Sequence, residues 1–151
     1  MMHFKIIFGI FWLTAIVGCG SREKSASSIQ DIRDLKTKQY AIHGKVLYDN
    51  LCANCHQVDG SGLGKVIPPL AGSDYMKEDI GRTIRIIKFG LEGDIMVNGI
   101  TYNQPMPPNP QLTHLEISEI ATYIYNVWGH REGLIPVETV KEHLDLKQIK
   151  N

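Results

Sequence analysis

Three stretches of the chain carry apolar residues three and four positions apart, a spacing that is typical of a helix with one buried face. The stretches cover residues 37–52, 79–89 and 114–128. The third is the clearest, because residues 113–116 read Thr-His-Leu-Glu, a capping-box sequence that marks a helix start. A weaker pattern over residues 137–146 predicts a short peripheral helix. The chain is therefore predicted to be largely helical.

The segments between these helices are rich in glycine and proline. Residues 59–64 read Asp-Gly-Ser-Gly-Leu-Gly and are followed by a Pro-Pro pair at 68–69. Residues 93–110 contain two glycines, four prolines and three asparagines, which favours an irregular loop over a strand. No pair of segments alternates apolar and polar residues regularly enough to predict a sheet. We expect an all-α domain with long loops.

The first 18 residues are typical of an export signal. Lys5 provides a basic start, and residues 6–17 form a run of 12 mostly apolar residues, which is too short to span a bilayer comfortably. Ile-Val-Gly-Cys at 16–19 resembles the lipobox of bacterial lipoproteins, in which the cysteine becomes the first mature residue and carries the lipid. We expect a lipoprotein signal peptide over residues 1–18 and lipidation of Cys19. A plain secretory signal, or an uncleaved anchor with a chance cysteine, is the alternative.

Composition and charge are those of one ordinary globular domain. Of 151 residues, 43% are hydrophobic and 21% are charged, and 16 basic residues balance 16 acidic ones. This balance leaves no basic surface of the kind that nucleic-acid binding requires, so we expect no nucleic-acid partner. Residues 19–36 are polar and rich in serine, which predicts a flexible tether. The folded domain is then expected over residues 37–130, with a C-terminal extension at 131–151.

The motif that carries the chemistry is Cys52-Ala-Asn-Cys55-His56, the attachment pattern of c-type haem. Two thiols three residues apart can add to the two vinyl groups of one porphyrin, and the adjacent imidazole then reaches the iron. A structural zinc site would need two further ligands, and no second cysteine pair exists. A thioredoxin-like pair would follow a strand at a helix start, and a disulfide between residues three apart is geometrically poor. We therefore expect one covalent haem c, with His56 as an iron ligand.

The residues around the motif resemble those of class I cytochromes c. Gly44 and Tyr48, eight and four residues before Cys52, resemble the glycine and aromatic positions of the first helix in that family. Tyr123 lies in a segment that resembles the last helix, which crosses the first helix at the glycine. The resemblance covers about residues 40–129. It implies the cytochrome c-like fold, with helices and long loops wrapped around one haem.

The same resemblance implies roles for residues outside the motif. Pro68-Pro-Leu70 resembles the Pro-x-Leu of the family, in which the proline carbonyl accepts a hydrogen bond from the proximal histidine and the leucine packs on the porphyrin. Pro68 would then hold Nδ1–H of His56, and Leu70 would lie against the ring. Fixing the histidine tautomer in this way strengthens the iron ligand. Met106, in a loop ahead of the last helix, matches the distal methionine.

The choice of distal ligand also has support from the residues themselves. Prolines flank Met106 and stiffen the backbone that must present a weakly bound thioether. Met76, Met96 and His114 are the alternatives; of these, His114 leads, and Met96 is by default an adaptable gap filler. Tyr102, just before this loop, could hydrogen-bond a haem propionate or brace the loop.

These residues together favour an electron carrier rather than an enzyme. With His56 and Met106 both bound, the iron has no open position, which favours outer-sphere electron transfer over substrate activation. We expect a membrane-anchored carrier on the extracytoplasmic (periplasmic) side, acting between redox protein partners. One rival is a haem c subunit through which electrons enter a dehydrogenase, nitrite reductase or terminal oxidase complex. Another is a haem sensor or peroxidase, which needs an open sixth position.

Overall fold

The computed structural model describes residues 28–145. The predicted signal peptide, Cys19 and the tether as far as residue 27 lie outside the described residues, as do residues 146–151. No helix within 28–145 is long and apolar enough to cross a membrane. The elements follow in the order of a 3-10 helix Ile29–Asp31, α1 Leu35–Leu51, α2 Ala53–His56, α3 Asp74–Glu78, α4 Ile80–Phe89, β1 Ile95–Val97, β2 Ile100–Tyr102, α5 His114–Ile124 and α6 Val137–Asp145.

The crossing of α1 and α5 is the centre of the fold. At Gly44 the two backbones come so close that a Cβ atom there would lie 1.9 Å from the carbonyl oxygen of Glu119 and 2.9 Å from Cβ of Tyr123. A glycine is thus required on α1 at the point of contact. The predicted contact of Tyr123 with the first helix at Gly44 is confirmed.

An aromatic cluster stabilises this crossing. The rings of Tyr48, Tyr123 and Trp128 lie 5.3 to 5.5 Å apart in tilted or edge-on pairs, an arrangement favoured by the quadrupoles of the rings. Gly60 allows the following loop to approach them, because a Cβ there would lie 2.7 Å from the Trp128 ring. The cluster therefore joins α1, the end of α5 and the loop after the Cys-x-x-Cys-His motif.

Two predicted boundaries were wrong at the ends of these helices. The first helix begins at Leu35, not at residue 37, because the Asp34 carboxylate accepts a hydrogen bond from Thr37 N at 2.7 Å and caps it. Ile29 already packs against the core, so residues 29–36 belong to the folded domain rather than to the tether.

α5 ends at Ile124 instead of residue 128, because the chain turns there. Asn126 holds that turn with two side-chain hydrogen bonds to the backbone of Gly133.

The expectation that residues 93–110 form only an irregular loop was also wrong. β1 and β2 pair as an antiparallel hairpin joined by Asn98 and Gly99, both at positive φ (51° and 77°). An Asn-Gly pair favours such a two-residue turn. Reciprocal hydrogen bonds of 2.8 and 3.1 Å between Asn98 and Asp74 fasten the turn to the start of α3. A tertiary contact thus supports a hairpin that would be marginal alone.

The last helix lies close to its predicted position, but it is not peripheral. Val140 and Leu144 on α6 are buried against α4 and α5. Ser118 Oγ donates a hydrogen bond of 2.5 Å to the carbonyl of Ile135, just before α6. Residues 131–145 therefore complete the hydrophobic core instead of forming an appendage.

Candidate haem site

A largely apolar cleft opens beside the C-terminal end of α1, with about 1000 Å³ of space, part of which is open to solvent. Its walls come from α1, α2, α3, α4, α5, the hairpin and two loops. The cleft brings together all seven residues expected at the cofactor from the sequence, namely Cys52, Cys55, His56, Pro68, Leu70, Tyr102 and Met106.

His56 is the buried imidazole of the cleft, with only 9% of its surface exposed. Its Nδ1 lies 3.2 Å from the carbonyl oxygen of Pro68. Because a carbonyl can only accept, Nδ1 carries the proton and Nε2 keeps its lone pair. Burial lowers the pKa of His56, against a smaller upward effect of the Pro68 hydrogen bond, and so favours the neutral ring. The structure thus orients a neutral nitrogen ligand.

Cys52 and Cys55 lie in the same helical turn as this histidine. His56 N donates to Cys52 O at 2.9 Å, so the three functional side chains are positioned by one local backbone bond. Both cysteines are free thiols, and Cys55 is exposed. Burial, with a smaller contribution from Cys55, raises the pKa of Cys52 to about 11, which keeps that thiol protonated. Within residues 28–145, no three His, Cys, Asp or Glu side chains are grouped to hold a metal ion, as a zinc site would need.

The glycine-rich loop after α2 folds back so that Pro68 reaches His56. Gly62 N donates to His56 O at 3.0 Å, and Gly62 has a φ of +70°. A Cβ at Gly62 would lie 2.3 Å from the carbonyl oxygen of Ile67 and 2.8 Å from that of Pro68. Tyr48 closes the other end of the loop by donating from its hydroxyl to the carbonyl of Gln57 at 2.6 Å. Backbone packing at Gly62 therefore sets the position of the carbonyl that holds His56.

Met106 is held at the cleft by a backbone pairing that the sequence did not indicate. Its N and O form hydrogen bonds of 2.9 and 3.0 Å with Leu91, directly after α4. Gly90 makes this approach possible, since a Cβ there would lie 2.5 Å from Met106 O. Gly90 directly follows the last residue of α4 and caps that helix. It also serves as the contact point of the loop that presents Met106.

The alternative distal ligands occupy different places. Met96 is 63% exposed on β1, and neither Met96 nor His114 lines the cleft. Met76 does line it, but it is 3% exposed and belongs to the packed hydrophobic core. Met106 lines the cleft from a loop and is not part of that core. Met76 and Met106 are therefore the two thioethers that border the cleft.

Two other predicted residues have identifiable contacts. Tyr102 is buried, and its hydroxyl donates to the carbonyl of Gly64 at 3.4 Å, which ties the hairpin to the glycine-rich loop. Leu70 is half-buried against the core and lines the cleft. Ile95 and Val97 of β1 also line the cleft, although neither residue was predicted there. Their alternation ahead of the Asn-Gly turn was the available signal.

The residues at the cleft fit a covalent haem. A neutral buried imidazole adjoins two thiols in one helical turn, at the mouth of an apolar cleft within a helical domain. This donor set suits an apolar macrocycle with reactive vinyl groups better than a polar ligand, and it defines a c-type haem protein. The sequence profile of the cytochrome c family matches residues 41–128. The chain belongs to the cytochrome c family, and its cofactor is covalently bound haem c.

Curated relatives agree with this assignment. Cytochrome c-552 of Thermus thermophilus is 38% identical over 82 residues, a match that spans 52% of this chain and 63% of the relative. A second cytochrome c-552 sequence from the same species is 38% identical over 82 residues, or 55% of its own length. The chain therefore matches less than two thirds of the length of these relatives. Its fold is that of the cytochrome c family, mostly helical with one small hairpin.

Proposed function

We propose that this protein is a membrane-anchored monohaem cytochrome c that carries single electrons between extracytoplasmic redox proteins and is not itself an enzyme. The observation that carries the proposal is that His56 and Met106 line one apolar cleft beside Cys52 and Cys55. The bound haem supplies an iron that changes its charge by one electron. Cys52 and Cys55 would hold the porphyrin by thioether bonds, and His56 Nε2 and Met106 Sδ would bind the iron.

Met106 is the better sixth ligand of the two methionines at the cleft. Met76 lies on a helix, and packing in the core restrains its side chain. Met106 lies on a loop whose backbone is held by Leu91 and stiffened by flanking prolines, while its side chain stays outside the core. A weakly bound thioether needs such backbone support, because the iron–sulfur bond alone does not hold the loop. Thioether ligation together with a histidine also raises the reduction potential.

An electron carrier differs from a haem sensor or peroxidase in whether the sixth coordination position of the iron is occupied, and this difference can be tested. The reduced wild-type protein is expected to bind carbon monoxide negligibly at neutral pH, because Met106 occupies the sixth position. Mixing the reduced protein with carbon monoxide and following the Soret band measures this directly. Rapid and complete formation of the carbon monoxide adduct would show an open position and would contradict the carrier proposal.

The contact between Pro68 and His56 gives a second prediction, with a matched control in the same loop. Gly62→Ala would push its new Cβ against the carbonyls of Ile67 and Pro68, whereas Gly64→Ala would meet nothing within 4 Å. Both residues have positive φ, so both variants share a backbone cost of about 1–2 kcal/mol. We expect Gly62→Ala to lose a further ~1–3 kcal/mol through overpacking. It should also raise the reduction potential, because a weaker Pro68 hydrogen bond makes the imidazole a poorer donor to the oxidised iron.

Thermal unfolding and redox titration of the two holoproteins measure these effects. Gly64→Ala should keep the wild-type potential and show only the backbone cost. Equal potentials and equal stabilities in the two variants would show that packing at Gly62 does not position the Pro68 carbonyl.

An exposed apolar loop next to the cleft would meet the redox partners. Val58, Leu63 and Val66 are 71%, 57% and 51% exposed on the segment after the haem-binding motif, and Cys55 at the cleft mouth is exposed as well. Small interfaces of this kind suit short-lived electron-transfer contacts, which commonly bury less than about 1,200 Å². If the protein is instead the subunit through which electrons enter a larger complex, a large partner would copurify through this surface.

Attachment to a membrane through Cys19 is part of the proposal. It is supported by the Ile-Val-Gly-Cys sequence after an apolar run and by the family, whose members are typically extracytoplasmic. Acyl chains on Cys19 would contribute about 0.8 kcal/mol per buried methylene, enough for stable anchoring when more than one chain is present. The carrier would then move within a surface rather than through the bulk.

A further inference from the structure

Helix α1 presents apolar side chains to solvent as well as to the core. Leu35, Ile42 and Val46 are 69%, 47% and 58% exposed. At about 100° per residue, these three side chains lie within about 20° of one line along the helix. We name this set of three side chains the α1 stripe. The line runs roughly opposite to the inward-facing residues Thr37, Ala41, Gly44 and Tyr48. The core therefore gains nothing from the apolar character of the stripe.

Lysines flank the α1 stripe on both sides. By the same helical geometry Lys38 and Lys45 lie about 60–80° to one side, and Lys36 lies about 100° to the other. Asp49 shares the first flank and pairs with Lys45 at 2.5 Å, so Lys38 supplies the net positive charge on that side. An apolar line bordered by lysines is typical of helices that lie on lipid surfaces, since lysine stems extend along the apolar layer while their ammonium groups reach phosphates.

The path of the chain places this helix near the proposed anchor. Ser28 lies nine residues after Cys19, which limits the distance between them to about 30 Å even for a fully extended chain. Ile29 packs against the core and the chain then leads directly into α1. The anchored segment thus joins the domain at the N-terminal end of the helix that carries the α1 stripe.

We propose that the α1 stripe lies on the anionic surface of the membrane that holds Cys19; this rests on the lipid anchor of the proposed function. A second copy of the chain is a poorer occupant, because three side chains cover far less than the roughly 800 Å² per partner of a stable interface. Tyr48, on the opposite face of α1, lines the haem cleft. Contact through the α1 stripe therefore holds the domain in one orientation, with α1 between the membrane and the cleft.

The haem itself can report this orientation as an energy acceptor. Lipidated holoprotein is reconstituted on vesicles of phosphatidylglycerol and phosphatidylcholine that contain a headgroup-labelled lipid whose emission overlaps haem absorption. The test variant is Ile42→Gln with Val46→Gln. The matched control is Met96→Gln with Ile100→Gln, which removes two exposed apolar side chains from the hairpin instead. Vesicle sedimentation of wild type and of Cys19→Ser is measured in parallel.

We expect strong quenching of the lipid label in wild type and in the control variant. The α1 stripe variant should lose at least half of this quenching, because its domain is free to move away from the membrane surface. Its sedimentation with vesicles should stay unchanged, since the lipid anchor is intact. Equal quenching in all three proteins overturns the proposal. So does a wild-type dimer on size exclusion that the stripe variant converts to a monomer. The lipid anchor itself is overturned if the lipidated wild type does not sediment with vesicles, or if Cys19→Ser sediments as well as the wild type does. Sedimentation is measured independently of quenching, so the two proposals can fail separately.

Discussion

Replacing Met106 with alanine is expected to abolish the thioether-to-iron absorption band near the red edge of the visible spectrum. On the proposed ligation, the substitution would remove the sulfur that stabilises reduced iron, so the reduction potential should fall by a sizeable part of the roughly 0.8 V over which axial ligands set haem potentials. It should also open the iron to carbon monoxide. The loop itself should persist, because it is held by backbone bonds between Met106 and Leu91 that alanine can form equally well.

Met76→Leu is the control for this experiment. It removes the second thioether at the cleft while keeping nearly the same volume in the core, a type of swap that usually costs less than about 1.5 kcal/mol. The band and the potential should stay near those of the wild type. Loss of the band in Met76→Leu and its retention in Met106→Ala would transfer the ligand role to Met76. Spectra of both oxidised holoproteins, with redox titrations, decide between the two residues.

Gly44→Ala is expected to lower the free energy of unfolding on the order of 3 kcal/mol, the upper end of typical overpacking costs. An isolated helix would gain up to about 1 kcal/mol from the same change. In this fold, however, the new methyl group would lie 1.9 Å from the carbonyl oxygen of Glu119, which cannot move without displacing α5. The α1–α5 crossing must therefore open, and the ring of Tyr123 must move with it. Chemical denaturation of the holoprotein measures the loss.

Gly72→Ala provides the matched control for that change. A Cβ at Gly72 meets nothing within 4 Å, and the residue has a φ of +64°. Its substitution therefore carries only the cost of a left-handed backbone, about 1–2 kcal/mol. A Gly44→Ala protein as stable as the wild type would show that the two helices can separate freely at this point, contrary to the close crossing.

Much of the helical structure followed from short-range patterns. α5 starts where its capping box predicted, because Thr113 accepts a hydrogen bond from Glu116 N. α4 starts within one residue of its predicted position, and Asp79 caps it in the same way through Arg82 N. Such caps involve neighbours in the sequence, so they can be predicted from it. The end of α5 could not, since it depends on Asn126 contacting Gly133 across a turn. The burial of α6 likewise depends on surfaces that α4 and α5 create only when folded.

The hairpin shows how a local signal was missed. The Asn-Gly pair at 98–99 is a strong turn signal, but the prolines that follow favoured an irregular loop. Contact with Asp74, 24 residues earlier, stabilises the turn. The proline-rich segment begins only after β2, so it ends the hairpin rather than preventing it.

The sequence by itself determined the haem attachment, because Cys52, Cys55 and His56 lie within one helical turn and their relation depends only on local backbone geometry. The resemblance to class I cytochromes c implied that the Pro68 carbonyl faces His56 and that Met106 lies at the haem, and the structure places both residues so. The tertiary structure alone decided that Leu91 holds the backbone of Met106 and that Met76 borders the cleft as well. Those contacts join segments 12 or more residues apart, and bringing them together has an entropic cost that only the packing of the whole domain offsets. The glycines at 44, 62 and 90 permit that packing, since each lies where another backbone leaves no room for a side chain.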